Sequence, residues 1–430
     1  MAQKKLKAPF PYFGGKISIV ELVWSLLGDP DNYIEQFAGT AIALLRRPKP
    51  GKVETINDAN HYVANFWRAV QADPDRVADF ADGPVSEIDL HARHRYLCRG
   101  PDSAEFYERM KSDPEYFDPK FAGWWAWGQC CWIGGGWCQE NSNTNSGQDA
   151  RPSLRESSEG GVRPITGHGN SKFGVGVNGE PKEIGEWIPD LAGNYGATGR
   201  GVASSHGHNK RIKLTGTTME RRMSSGRPQL GDVHDIGRGV NSNRNADTLE
   251  VRRAWLVDWM RALQNRLRMV RICYGHWIRI CNSKTTMQRL GSTGAFVDPP
   301  YSKNIERMLQ WRQYLLTGQG IQPDPPSKGG TNRSGYLHAN DQDQDADKLV
   351  AEVNIWCLKW GAVPRIRIVL CGYSGEHDNL IDAGWTEIPW KAQGGYANRN
   401  SDNENKNRER IWASPNCLKI DKLVQREMFS

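Results

Sequence analysis

The sequence has no long apolar run, no paired-cysteine spacing and no lysine-bearing phosphate loop, and each absence removes a class of protein. No segment approaches the roughly 20 apolar residues that a membrane span requires. The basic opening Met1-Ala2-Gln3-Lys4-Lys5-Leu6-Lys7 leads into no apolar stretch, so a secretory signal is not expected. The nine cysteines are odd in number and scattered, several of them (Cys130, Cys131, Cys273, Cys371) in apolar segments, and no C-x-x-C pair exists. Neither a disulfide framework nor a metal site is expected, and reduced thiols fit a cytoplasmic protein. Without G-x-x-x-x-G-K-[ST], a P-loop ATPase is disfavoured. Acid is in slight deficit, 49 Asp and Glu against 56 Lys and Arg, and the net +7 points mildly to a polyanionic partner. Apolar residues make up only 38%, yet 17 tryptophans suffice for a sizeable core.

What is present alternates strand and helix. Tyr33 to Phe37 reads as a strand running into Ala38-Gly39-Thr40-Ala41, with a helix at Ile42–Leu45. Lys52 to Ile56 reads as the next strand, closed by Asn57-Asp58-Ala59-Asn60, and a helix follows from His61 to Ala72 with Val63, Phe66, Trp67 and Val70 on one face. Such alternation implies a parallel sheet. Residues 81–140 read as helical, with a tryptophan cluster (Trp124, Trp125, Trp127, Trp132, Trp137) that suits core packing. From Asn141 to Asp247, Gly, Ser, Asn and Arg dominate and apolar periodicity vanishes, which marks a functional or disordered insertion. Within it Lys210, Arg211, Lys213, Arg221 and Arg222 face a single acid, Glu220, a composition able to follow a phosphate backbone or simply to sit in solvent. Regular structure resumes with a helix at Arg252–Leu267 and strands at Val270–Tyr274, Gly294–Val297, Ile366–Leu370 and Arg410–Trp412, a further helix filling Ala346–Leu358.

Two constellations carry chemistry. At the end of an apolar strand stands Asp298-Pro299-Pro300-Tyr301. The acid can accept one N–H of an exocyclic amine, a proline carbonyl another, and the tyrosine ring can stack on a planar base. Near the N-terminus, the turn Glu35 to Ala41 opens a helix after a strand, which lets a ligand approach backbone closely, and Asp58 ends the next strand, where an acid can bind ribose hydroxyls. A second Asp-Pro-Pro at Asp324-Pro325-Pro326-Ser327 lacks the strand and the aromatic, and reads as a loop. His206-Gly207-His208 could bind a metal but has no further ligands obviously spaced and reads as a solvated loop; Glu376-His377, at a strand end, could line the cofactor or DNA cleft but reads as a surface turn; and Arg408-Glu409-Arg410 reads as an exposed charged strand edge.

Taken in order, Tyr12-Phe13-Gly14-Gly15-Lys16, Phe37-Ala38-Gly39-Thr40, Asp58 and Asp298-Pro299-Pro300-Tyr301 resemble the DNA adenine-N6 methyltransferases of the DNA adenine methylase (D12) class, over residues 7–80 and about 268–418. The resemblance implies an α/β fold: a Rossmann-like S-adenosylmethionine-dependent sheet with an inserted, mostly helical or irregular target-recognition region. Residues 1–80 and 251–430 would form the two halves of the methyltransferase domain. Residues 81–250 would form the recognition region, with the polar insertion at 141–247.

It further implies a cofactor pocket of Tyr12, Phe13, Gly14, Lys16, Glu35, Phe37, Ala38, Gly39 and Asp58, with His276, Trp277 and Asp298 beside it. Asp298, Pro299, Pro300 and Tyr301 would hold a flipped adenine, and Lys210, Arg211, Lys213, Arg221 and Arg222 would contact double-stranded DNA. Two departures stand out. Gly275-His276-Trp277 replaces a Gly-Asp-Phe, and Ala41 stands where many relatives carry glycine. The expectation is a site-specific adenine-N6 methyltransferase of phage or prophage type, with no obligate protein partner. Cytosine-N4 methylation and an inactive DNA-binding relative are the alternatives.

Overall fold

In the computed structural model of the chain, residues 6–12, 15–132, 137–138, 239–242, 248–319, 345–390 and 408–419 are described. They belong to one compact unit, residues 1–141 with 228–430; a second unit, 142–227, lies outside the described residues. The elements run α1 (Val20–Leu27), β1 (Asn32–Glu35), α2 (Ile42–Leu45), β2 (Val53–Asp58), α3 (His61–Ala72), α4 (Pro74–Ala81), α5 (Glu87–Arg99), α6 (Ser103–Ser112), α7 (Pro119–Cys131) and α8 (Leu249–Leu267). After them come β3 (Val270–Tyr274), α9 (Lys284–Gln288), β4 (Thr293–Val297), α10 (Ile305–Thr317), α11 (Ala346–Gly361), β5 (Ile366–Tyr373), α12 (Asn379–Asp382), β6 (Thr386–Pro389) and β7 (Glu409–Ala413).

The strands form one seven-stranded sheet in the order β3-β2-β1-β4-β5-β7-β6. Strands β1 to β5 are mutually parallel, and β7 runs antiparallel to both β5 and β6. This mostly parallel α/β sheet has the Rossmann-like arrangement expected from the sequence.

The sequence periods explain the layers. Alternation along a strand sends neighbours to opposite faces, and the two faces have separate cores. Tyr33, Phe296, Val369 and Ile411 pack with α1, α3, α4, α7 and α8 on one side. Ile34, Ala295, Val297, Ile368, Leu370 and Trp412 pack with α11 on the other. Every residue of β4 is buried, as befits a central parallel strand covered on both faces. Helix starts are chemically marked: Asn60 accepts from Tyr62 N at 2.9 Å, Asp118 accepts from Phe121 N at 2.9 Å, and Pro119 begins α7.

The bounds expected for α2, α3 and β3 coincide with those observed. Helices α1 and α10 and strand β6 were not anticipated. Strand β6 spans only four residues and buries just Ile388, too little to register as a period. One expectation is overturned. The segment around Glu409 is no sheet edge, because β7 lies between β5 and β6, and Glu409 is only 8% exposed.

Candidate active site

Strand order reverses between β1 and β4: β2 and β3 continue to one side, β5, β7 and β6 to the other. In open α/β sheets the crevice at the carboxyl ends of such a pair is where ligands bind. Glu35 pairs with Phe296 in register, so the Glu35–Ala41 turn and the Asp298 corner leave neighbouring parallel strands at the same edge. That is the juxtaposition a transfer between the two constellations needs.

The β1 turn is held from several sides. Asp58 takes Gly39 N on Oδ2 at 2.9 Å and Asn60 N on Oδ1 at 2.8 Å. Ala38 N donates to Asn57 O at 2.9 Å, and Asn57 Nδ2 donates to Gln36 O at 3.1 Å and Gly275 O at 2.9 Å. Trp67 Nε1 donates to Gly39 O at 2.9 Å. The loops after β1, β2 and β3 are thus laced into one rim.

Gly39 has φ +47°, and a Cβ there would stand 2.8 Å from the Tyr12 ring, so both conformation and space demand glycine. Ala41 also sits in the left-handed region, at φ 49°, at a cost of about 1–2 kcal/mol that glycine would avoid. Phe37 is half-buried, its ring 6.0 Å from that of Trp277, whose ring also neighbours those of Trp356 and His276, each at 6.0 Å. Trp277 is itself buried in the core beneath the rim, and its indole N–H has no hydrogen-bond partner among the described residues. His276 begins the short 3-10 turn Trp277–Ile280. Glu35 faces inward, accepting Tyr33 Oη at 2.9 Å and Leu44 N at 3.3 Å; burial pushes its carboxyl up to about 8 against those two bonds.

Across the crevice lies a charged cluster. Lys16 Nζ is 3.0 Å from Asp298 Oδ1 and lies over the rings of Tyr301 and Trp390, 5.2 and 5.8 Å from their centroids. Burial opposes the charge on Lys16, but Asp298, Cys371 and Glu409 outweigh it and hold the ammonium above its ordinary range. Tyr301 Oη is 3.2 Å from Asp298 Oδ1 and 2.9 Å from Glu409 Oε2, and its ring meets that of Tyr373 edge-on at 4.6 Å. Burial, reinforced by the Asp298 charge, raises the Tyr301 phenol well above its usual value. Pro299 is buried and Pro300 half-buried.

Behind this corner two more carboxylates fix the backbone. Glu376 accepts Ser302 N at 2.7 Å and Tyr373 N at 2.8 Å. Asp347 accepts Ser302 Oγ and Lys303 N at 2.8 Å each and Asn304 N at 3.1 Å. The Glu376-His377 pair is therefore no surface turn: the two residues are 1% and 0% exposed.

Of the residues singled out in the sequence, Tyr12, Glu35, Phe37, Ala38, Gly39, Asp58, His276 and Trp277 come together along the β1–β2–β3 rim, and Lys16, Asp298, Pro299, Pro300 and Tyr301 beside it. Phe13, Gly14, Lys210, Arg211, Lys213, Arg221, Arg222, the His206-Gly207-His208 pair and the Asp324 loop lie outside the described residues. Glu409 and Asp347 escaped the sequence reading as site neighbours, and Glu376 entered it only as the alternative to a surface turn. Each is one carboxylate in a charged stretch, and no local signal tells such an acid from a solvated one. Among the described residues no group of three or more His, Cys, Asp or Glu side chains could hold a metal, and no helix is long and apolar enough to cross a membrane.

Residues 12–109 match the family model of the D12 class N6 adenine-specific DNA methyltransferases. No curated protein matches the chain. The match spans the N-terminal motif, the Gly39 turn and Asp58. The match indicates an adenine-specific DNA methyltransferase.

Proposed function

We propose that the enzyme takes its methyl group from S-adenosylmethionine, bound at the β1–β2 rim, and transfers it to the N6 of an adenine swung out of double-stranded DNA into the Asp298 corner. The observation that carries this reading is the emergence of the Gly39 turn and the Asp298 corner from neighbouring parallel strands at the switch point of the sheet. The residues fit such a donor. Gly39 carries no side chain, Phe37 keeps part of its ring open, and the Asp58 carboxylate stands at the end of β2, where an acid can take ribose hydroxyls. When bound, the donor supplies a methyl group already activated on a sulfonium.

The protein's share is then positioning and charge. The adenine amine is a poor nucleophile because its lone pair is delocalised into the ring. Asp298 and the Pro299 carbonyl, accepting its two hydrogens, favour a pyramidal nitrogen whose lone pair is free to attack, and Asp298 offsets the positive charge that develops there. Tyr301 offsets part of the stacking the base gives up, about 1–3 kcal/mol. Before the base arrives, the Lys16 ammonium lies 3.0 Å from Asp298 Oδ1. We assign target recognition to residues 81–250, with the basic cluster from Lys210 to Arg222 on the phosphates, and the setting to the cytoplasm of a bacterial or phage-infected cell. The test is transfer of tritiated methyl from S-adenosylmethionine to unmodified duplex DNA, followed by digestion to nucleosides. The label is expected in N6-methyldeoxyadenosine; label in N4-methyldeoxycytidine, or none in DNA, would sink the reading.

A further inference from the structure

Because β7 is antiparallel to β5, its first residue, Glu409, lies at the carboxyl edge of the parallel strands and pairs with Tyr373. The residue before it, Arg408, therefore stands at the mouth of the Asp298 corner. Its carbonyl accepts Ser374 N at 2.8 Å, which ties the backbone there to the end of β5. Its guanidinium lies over the Tyr373 ring, 4.8 Å from the centroid, and Tyr373 in turn meets Tyr301 edge-on at 4.6 Å. A row of flat groups runs inward from the mouth: guanidinium, Tyr373, Tyr301.

The way its donors are spent sets Arg408 apart. Stacking uses the face of the guanidinium plane and leaves the N–H donors on its edge. Although the side chain is half-buried, none of those donors makes a hydrogen bond or an ion pair among the described residues. Arg410, two positions on, pairs with Glu387 at 2.9 Å, and Arg307, at the start of α10, binds Asp345 and Asp347. The corner itself is rich in acid: Asp298, Glu376 and Glu409 lie around it, with Lys16 as the buried cation beside them. A polyanion brought to such a place meets repulsion unless a cation waits at the mouth.

We propose that Arg408 is a DNA-contacting residue whose guanidinium edge takes a backbone phosphate next to the adenine that enters the corner. The inference rests on the reading of that corner as the adenine site, given above. A guanidinium held flat on a ring is already oriented, so its fork can meet two phosphate oxygens at little further cost in side-chain ordering. Such a contact positions the strand and carries no sequence information. It supplies phosphate affinity at the crevice itself, apart from the basic cluster between Lys210 and Arg222.

The experiment follows tritiated methyl transfer by the full chain to DNA that the wild type methylates. DNA KM is measured across a salt series for the wild type, Arg408→Gln, Arg408→Lys and Lys359→Gln. Lys359 is the control: it too rests on an aromatic ring, that of Trp360, but near the end of α11, which leads into the start of β5. Arg408→Gln should raise DNA KM about five- to tenfold at low salt, and the slope of log KM against log salt should drop by about one, the share of a single phosphate. Arg408→Lys keeps the charge without the fork, so it should restore most of the slope and only part of the KM. Lys359→Gln should follow the wild type. S-adenosylmethionine affinity, read by calorimetry, should be the same in all four, which a general loss of structure would not allow. If Arg408→Gln does not fold, Arg408→Met, whose apolar stem can still cover Tyr373, takes its place. An unchanged slope in the uncharged variant, a slope that Arg408→Lys does not restore, or an equal drop in Lys359→Gln overturns this inference while leaving the methyltransferase reading intact. A wild type that methylates no DNA overturns both.

Discussion

The two ends of the parallel strands each bury a cluster of charge, and the clusters are built to opposite rules. At the amino end, Glu54 is saturated. Its Oε1 accepts Arg47 Nη1 at 3.0 Å, Gly51 N at 3.1 Å and Arg266 Nη2 at 2.9 Å, and its Oε2 accepts Arg266 Nη1 at 2.6 Å. The guanidiniums spend further donors on Asp29, Pro30 O and Leu44 O. At the carboxyl end, the Lys16 ammonium meets Asp298 Oδ1 at 3.0 Å, and the Tyr301 hydroxyl lies 3.2 Å from that oxygen and 2.9 Å from Glu409 Oε2. The first cluster has little capacity left and can only hold β2, α2 and α8 together. The second lies at the crevice, beside the motif that carries the chemistry. Burial alone does not separate structure from chemistry; position in the sheet does.

Substitutions at the two ends should therefore fail differently. The largest effect is expected for Asp298→Ala, which should slow methyl transfer on the order of 10³-fold while S-adenosylmethionine still binds, measured by single turnover beside calorimetric titration. Retained activity would remove the contrast between the clusters. Glu54→Ala leaves two buried guanidiniums without their main partner and should lower stability by about 3–5 kcal/mol, read from urea unfolding, with the single-turnover rate of the folded fraction unchanged. A slowed rate at unaltered stability would mean that the amino-end cluster also serves the chemistry.

Asp58→Ala tests the rim between them. Losing the carboxylate that holds Gly39 N should weaken S-adenosylmethionine binding by roughly ten- to a hundredfold, and the methyl-transfer rate at saturation should move less. The smallest effect concerns pH. His377 lies buried beside Asn354 and against Trp412, and burial pushes its imidazole down to about 3; His61 is held down to about 3 in the same way. The unfolded chain takes up these protons below about pH 6.5 and the folded chain does not. These two histidines should therefore each lower stability as pH drops from about 6.5 toward 3, by at most about 1.4 kcal/mol per unit, while Glu35 and Glu376, both pushed up to about 8 by burial, act in the opposite sense between about 8 and 4.5. His377→Gln should remove the His377 share, so that thermal melts between pH 7 and 5 shift relative to the wild type, and an unchanged pH dependence would acquit it.

Much of this was legible residue by residue. Helix α3 announced itself through Asn60 and the apolar face of Val63, Phe66, Trp67 and Val70, all local signals. Gly39 was visible as a turn residue, though that a Cβ there would strike Tyr12 was not, because Tyr12 is 27 positions away in the chain. Glu409 was misread as an edge charge. Its environment depends on which strands flank β7, and pairing of that kind leaves no mark on three residues reading Arg-Glu-Arg. Glu376 was read as a surface turn for the same reason: its partners are Ser302 and Tyr373, and only the pairing of β4 with β5 brings Ser302 within reach.

By itself the sequence determined the order of strands and helices, the two chemical motifs and the enzyme class they point to, since those depend on local pattern and on residue types at fixed spacing. The tertiary structure decided which acids face which motif. It did so by inserting β1 between β2 and β4, so that two turns some 260 residues apart share one crevice. It also turned β7 around, so that the first residue of the last strand arrives at the end where the other strands finish. Contacts of that kind follow from sheet order and strand direction, which are settled by burial of both faces at once and not by any stretch of chain alone.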